Sequence, residues 1–332
     1  MTPVSENAIL LTVNNYLKEL HVLFSLALIP VIVLLVFIYF NDKKEKEPIG
    51  FLIGLFFAGM ASVITAFIFE GIGEAVLEVM LHYFPVLKVV ILCMFVVGPV
   101  EELGKYAALR LVSWKNRNFD HSYDAIVYSV FVSMGFAAFE NVIYVFSNGV
   151  GTALLRMFTA VPGHACYAVF MGYFYSKAKY AKLTNNKKDY TLNNVLSIVV
   201  PVVIHGIYDA LIFATRESGN DFAVVILVLT WIGIVIAMFI VAFIIVIRSS
   251  KKDFCIITLP NEVQTIYRPE VAGSWTCACG KENTRNFCTE CGKPRPAGSP
   301  WNCPRCGTIS AYNFCGNCGC PKPVTNISEQ TV

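Results

Sequence analysis

Seven ionisable side chains have types and spacings that could do chemistry together. Glu101 and Lys105 stand four residues apart, as do His205 and Asp209. Pairs at that spacing share a helix face and can meet. Glu101 and Glu102 are adjacent, so they cannot point the same way. One can face a cavity while the other meets a neighbouring helix. Glu140 and His164 complete the set. Carboxylates and imidazoles in one pocket can polarise a water, with a carboxylate as general base. They can equally bind a divalent metal. A carboxylate beside an imidazole fixes its tautomer and raises its basicity, which is the part Asp209 would play for His205.

A second chemistry sits near the C-terminus. Of 12 cysteines, 9 fall between Cys277 and Cys320. They form a 27-residue repeat in which Cys279, Cys288 and Cys291 recur as Cys306, Cys315 and Cys318, while Gly280, Phe287 and Gly292 recur as Gly307, Phe314 and Gly319. Cys277 opens the first unit and Cys303 the second, and Cys320 is a spare. Paired thiolates on two short knuckles make a four-sulfur zinc site, so two structural zinc ions are expected. The first unit has one residue between Cys277 and Cys279 where the second has two between Cys303 and Cys306. Modules this small draw their folding energy from the metal. In a reducing cytosol these thiols would not form disulfides. Residues 275–322 hold six Lys or Arg against two Glu, which makes nucleic acid an unfavoured partner and a cytosolic protein the expected one.

The elements that position the first set must lie in a membrane. The chain of 332 residues is 56% hydrophobic and 15% charged, with a mean hydropathy of +0.59. Soluble domains carry about 25% charged residues, so a soluble enzyme is excluded as the whole answer. A crossing needs about 20 apolar residues. Segments 22–40, 49–69 and 222–247 meet this without a charge, and 86–109, 125–146, 153–175 and 192–214 meet it with ionisable residues inside. The first segment is not a signal peptide, having no basic start and too long an apolar run. Four alternate loops hold fourteen Lys or Arg, and the others hold only Lys18, Lys88, Arg156 and Arg216. That bias puts the N-terminus outside and the cysteine-rich tail in the cytosol. Glu70, Glu74, Glu78 and His82 recur at helical spacing and read as a solvated face.

Each ionisable residue at bilayer depth costs about 3 kcal/mol on insertion scales, so it needs a reason to be there. Pro99, Pro162 and Pro201 precede Glu101, His164 and His205, and Gly135 precedes Glu140. Kinks and charges falling together predict one wet cavity within the bundle. Arg156, near a span end, can snorkel to the interface and is left out of the set.

Four motifs in order carry a family resemblance: Glu101-Glu102-Leu-Gly-Lys105, Phe136-Ala-Ala-Phe-Glu140-Asn141, His164 within Pro-Gly-His-Ala, and His205-Gly-Ile-Tyr-Asp209. Over roughly residues 20–252 this resembles the PrsW family of intramembrane proteases, relatives of the CAAX-prenyl and bacteriocin-immunity membrane proteases. Those relatives carry His where this chain has Glu140, and often Asn where it has Asp209. The resemblance implies cleavage of a single-pass membrane protein, of which an anti-sigma factor is the best-known type, by a glutamate- or metal-dependent route. The expected fold is an all-α polytopic cell-membrane protein of about seven transmembrane helices with a cytosolic double zinc ribbon. Its parts would be an outer segment 1–19, a protease domain 20–253, a linker 254–274, the ribbons 275–322 and a disordered end 323–332. In the expected site Glu101 is the base, and Glu140 and His164 position water or a metal. His205 stabilises the oxyanion or ligates the metal, oriented by Asp209, and Glu102 with Lys105 supports them. A non-catalytic membrane sensor signalling through the ribbons and an ion-coupled transporter are the rival readings.

Overall fold

The computed structural model describes residues 6–256, 275–283, 290, 301–303, 307, 309 and 310. It divides into two units, Met1–Phe254 and Cys255–Val332. The first is helical throughout: α1 Glu6–Asn41, α2 Ile49–Leu81, α3 Pro85–Leu92, a π-helical turn Cys93–Val97, α4 Gly98–Ser113, α5 Asp124–Phe158, α6 Ala160–Leu183, α7 Lys187–Glu217 and α8 Asp221–Lys251. Among the described residues, five stretches are long and apolar enough to cross a bilayer: Leu20–Asn41, Ile49–Leu81, Asp124–Leu183, Lys187–Glu217 and Asp221–Lys251. The third of these is 60 residues long and holds both α5 and α6. The region expected as one span over 86–109 is helical from Pro85 to Ser113, with a π-helical turn at Cys93–Val97 between stretches of 8 and 16 residues.

α1 begins well before the expected crossing at residue 22. Its early polar residues hid a helix that extends past the apolar run. α5 and α6 form the centre of the bundle: 72% of their apolar window is buried, against 17% for α8, whose large apolar side chains face outward. An outward apolar face suits lipid, and packed centres exclude it.

Pro201 lies inside α7, and Pro99 sits in the first turn of α4, straight after the π-helical turn. Gly135 has a different role from the expected kink. A Cβ there would stand 1.9 Å from the Phe56 carbonyl oxygen, so this glycine lets α2 and α5 touch backbone to backbone. The break in α5 comes later, at Gly149, whose φ of 79° is left-handed.

At one end of the bundle the α1–α2 loop, the α4–α5 loop and the end of α8 converge. Ser250 Oγ donates to the Asn41 carbonyl, and Asp253 Oδ1 accepts from Ser122 Oγ and from the Tyr123 N–H, each at 2.8 Å. Burial pushes Asp42 up to about 6, with Lys46 opposing and Asp253 reinforcing the shift. Burial pushes Glu47 to about 8, opposed by a bond from Tyr128 and reinforced by Asp120 and Asp42.

In the second unit β1 (Trp275–Thr276) pairs antiparallel with β2 (Glu282–Asn283), and β3 (Trp301–Asn302) with β4 (Ile309–Ser310). Each hairpin turns at the same position of the 27-residue repeat, Gly280 at φ 86° and Gly307 at φ 71°. The Gly280 N–H donates to the Cys277 carbonyl at 2.8 Å, and the Gly307 N–H to the Cys303 carbonyl at 2.9 Å. Cys277 and Cys303 are buried and Cys279 is exposed. Cys288, Cys291, Cys306, Cys315 and Cys318 lie outside the described residues, as do 257–274 and 323–332.

Candidate active site

The π-helical turn and α4 run against α7 at very short range. A Cβ on Gly98 would stand 2.9 Å from the Val202 carbonyl oxygen, and one on Gly206 would stand 3.0 Å from Met94 Sδ and 3.1 Å from the Cys93 carbonyl oxygen. Without side chains at those two positions the helices approach until Glu102 on α4 meets His205 on α7, Oε1 to Nδ1, at 2.9 Å.

Lys105 organises the centre. Its ammonium donates to Glu101 Oε2 at 2.9 Å, to Glu102 Oε1 at 2.8 Å and to His164 Nδ1 at 3.1 Å, and it lies 4.0 Å from the centre of the Phe136 ring. With Nδ1 accepting, His164 carries its proton on Nε2 and donates it to Glu140 Oε2 at 2.8 Å. The Ser133 hydroxyl holds the His164 carbonyl at 2.9 Å. His205 meets carboxylates on both sides: Glu102 at Nδ1, and Asp209 Oδ2 at Nε2, 3.2 Å away, with Glu101 Oε2 at 4.0 Å. Two acceptors on one ring call for the imidazolium form. Tyr167 stacks on that ring at 4.6 Å between centroids.

All the sequence-derived residues therefore gather in one network, and they divide into two groups. Glu101, Glu140, His164, His205 and Asp209 line a cavity of 420 Å³, together with Glu70, Arg156, Tyr167, Tyr208 and Trp231. Glu102 and Lys105 stand behind that wall, 0% and 1% exposed. The adjacent acids separate as their positions on one helix require, Glu101 to the cavity and Glu102 to the neighbouring helix.

Two cavity residues were missed in the sequence. Arg156 does not snorkel outward. Its guanidinium lies 3.1 Å from Glu140 Oε2, and its Nε donates to Asn141 Oδ1 at 2.8 Å. Asn141 in turn donates to the Ala27 carbonyl at 2.9 Å, which ties α1 to the site. The signal was a charge count: Glu101, Glu102, Glu140 and Asp209 outnumber Lys105 and the His205 imidazolium, and buried charges must nearly balance. Tyr167 is the other, its hydroxyl buried with no hydrogen-bond partner among the described residues. Glu70 also departs from expectation, since it turns into the cavity rather than onto a solvated face. Glu78 does stay on the surface, where its carboxylate accepts from Lys88 at 2.5 Å and meets His82 Nδ1 at 2.8 Å.

Glu101, Glu102, His164 and His205 each offer one donor atom, and the four atoms lie within 4.8 Å of one another. Two imidazoles with carboxylates make a zinc-type set, and Glu140 and Asp209 supply the outer carboxylates that such imidazoles use. The residues therefore fit a metal, with the Lys105 ammonium competing for three of the same four donors.

Such a centre, with acids, imidazoles and a cavity enclosed by apolar helices, defines a membrane-embedded hydrolase. The family profile described as PrsW family intramembrane metalloprotease matches residues 47–245. Among curated proteins, Protease PrsW of Geobacillus kaustophilus is 32% identical over 220 residues, covering 63% of this chain and 88% of that protein. Protease PrsW of Halalkalibacterium halodurans is 33% identical over 213 residues, covering 64% and 94%. That of Bacillus subtilis is 30% identical over 210 residues, covering 63% and 91%. No solved structure matches. The chain belongs to the PrsW family and is an intramembrane protease.

Proposed function

We propose that this chain cleaves single-pass membrane proteins at bilayer depth, with Glu101 as the base that activates the attacking water. The observation that carries this is the position of Glu101: it lines the cavity, and Lys105 holds its carboxylate on a helix that also meets His164 and His205. Glu101 takes a proton as the water oxygen attacks the peptide carbonyl carbon. The same proton then passes to the departing amine nitrogen as the C–N bond breaks. The His205 imidazolium and the Tyr167 hydroxyl face the oxyanion. Asp209 and Glu102 orient His205, and Glu140 with Arg156 orients His164. A divalent metal would be held by His164, His205 and the Glu101–Glu102 pair, and when bound it would add Lewis-acid polarisation and a more acidic water.

The wider architecture belongs to the same proposal. Seven crossings are supported by α5 and α6 within one 60-residue apolar stretch and by α3 to α4 as one interrupted crossing. With the fourteen-to-four bias of basic residues, that supports a tail in the cytosol and an N-terminus outside. The cavity lining reaches Glu74, Arg216 and Glu217 towards the C-terminal ends of α2 and α7, so it opens on the outer side. The matched hairpins support a double zinc ribbon that folds on two metal ions, and a cytosolic protein is its expected partner. The anti-sigma-factor type of substrate rests on family resemblance alone.

The test is Glu101→Gln, which keeps size and hydrogen bonding but cannot accept the proton. Purified chain in lipid vesicles with a single-pass substrate should lose cleavage by about 10²–10⁴-fold, with the amount of folded protein unchanged. A well-folded Glu101→Gln protein that cuts at the wild-type rate removes Glu101 from the role of base. Membrane proteomics of cells carrying the two forms identifies the substrates.

A further inference from the structure

At the end of the bundle away from the catalytic cavity, three loops bring together acids that the reaction does not use. Asp42, Glu45 and Glu47 come from the α1–α2 loop, Asp120 and His121 from the α4–α5 loop, and Asp253 from just past α8. His121 Nδ1 lies 2.9 Å from Asp120 Oδ1 and 3.9 Å from Glu45 Oε2. One donor atom from each of Glu45, Asp120 and His121 falls within 4.8 Å of the other two.

Acids on a loop ordinarily face water and need no ion. Three of these do not face water. Asp42, Glu47 and Asp253 are 1%, 5% and 8% exposed. Each keeps a buried carboxylate oxygen with no hydrogen-bond partner among the described residues. They surround the donor trio closely enough to act on it: Asp42 feels the charge of His121 and Asp253, and Glu47 that of Asp120 and His121. The Lys46 ammonium acts on Asp42 through its charge and donates to the carbonyls of Tyr39 and Asp42. Buried carboxylate oxygens without a donor are costly, and such groups either take up a proton or gather round a cation.

We propose that a divalent cation binds here, ligated by Glu45, Asp120 and His121 and neutralised by Asp42, Glu47 and Asp253. Oxygen donors suit Mg²⁺, Ca²⁺ and Mn²⁺, and the single imidazole favours Mn²⁺ among them. The ion would staple the α1–α2 loop to the α4–α5 loop. It thereby fixes the ends of α4 and α5, the helices that carry Glu101, Glu102, Lys105 and Glu140. The proposal is independent of the catalytic roles assigned above.

The test uses the full chain in lipid nanodiscs, titrated with Mn²⁺ and followed by electron paramagnetic resonance. Wild type should bind one more Mn²⁺ than the double variant Glu45→Gln with His121→Gln, both of whose sites are only partly buried. The nitrogen coupling of that Mn²⁺ should vanish in His121→Gln and persist in His164→Ala. Mn²⁺ should raise the melting temperature of wild type and not that of the double variant. Asp42→Asn removes a buried, unpartnered charge and so spares the fold, and it should weaken Mn²⁺ binding at least about ten-fold, as loss of supporting carboxylates does elsewhere. Equal stoichiometry and affinity in wild type and the double variant, or an unchanged affinity in Asp42→Asn, overturns the proposal.

Discussion

Tyr167 is the residue whose role is easiest to isolate. Its hydroxyl is buried without a partner, yet its ring packs on His205 and lines the cavity. Removing an unpaired hydroxyl costs the fold little. Removing an oxyanion donor typically costs about 10²-fold or more in turnover. Tyr167→Phe should therefore lower kcat by about that factor, with KM and melting temperature little changed, in a vesicle assay on a single-pass substrate. A Tyr167→Phe protein with full turnover sinks the oxyanion role. No spacing marks Tyr167 in the sequence, because it is one tyrosine among 15 and its importance comes from a ring contact between α6 and α7. The acids and histidines were legible for the opposite reason. A charge in an apolar span must be explained, and i,i+4 pairing shows which ones share a helix face. Arg156 was misread because distance to a span end says where a side chain could go, whereas Glu140 determines where it does go.

Among the elements, the contact between α4 and α7 does most to build the site. Gly206 leaves little room for a methyl group, since its Cβ would stand 3.0 Å from Met94 Sδ and 3.1 Å from the Cys93 carbonyl oxygen in the π-helical turn. Overpacking of this kind usually costs about 1–3 kcal/mol. Gly206→Ala should lower the melting temperature and also reduce cleavage, by parting Glu102 from His205 across the 2.9 Å bond. Stability and activity measured on the same sample decide it, and a Gly206→Ala protein that matches wild type in both shows that the two helices can yield. Helix existence was legible from apolar run length. Helix boundaries were not, because polar residues at the start of α1 and the π-helical turn before α4 are set by packing and backbone geometry, not by hydropathy. Pro99 stands straight after the π-helical turn, the one proline of the three beside a departure from α-helical geometry. Gly135 looked like a hinge in one dimension and is a contact point in three.

At the scale of the whole molecule, the membrane unit and the tail depend on different forces. Lipid-facing apolar surface holds the first, and metal is proposed to hold the second. Full-length protein should carry two zinc ions in the tail, and Cys315→Ser with Cys318→Ser should remove one of them without changing the melting of the membrane unit. Elemental analysis of purified samples checks this, and no zinc lost on that change refutes the second ribbon. The tail was legible as a repeat of cysteines and glycines, and its matched left-handed turns at Gly280 and Gly307 agree with that reading. The packing of the membrane unit was far less legible, because one chain of apolar letters does not say which helices are neighbours. The bond between Glu102 and His205 joins residues 103 positions apart, and that distance has a meaning during synthesis. The ribosome delivers α4 long before α7. Until α7 emerges, Glu102 has its own lysine and no imidazole, and the oxyanion side of the centre lacks His205. A chain interrupted before α7 thus carries Glu101, Glu140 and His164 without His205 and Asp209, and the cell meets a working peptidase only after nearly all of the membrane unit has been translated.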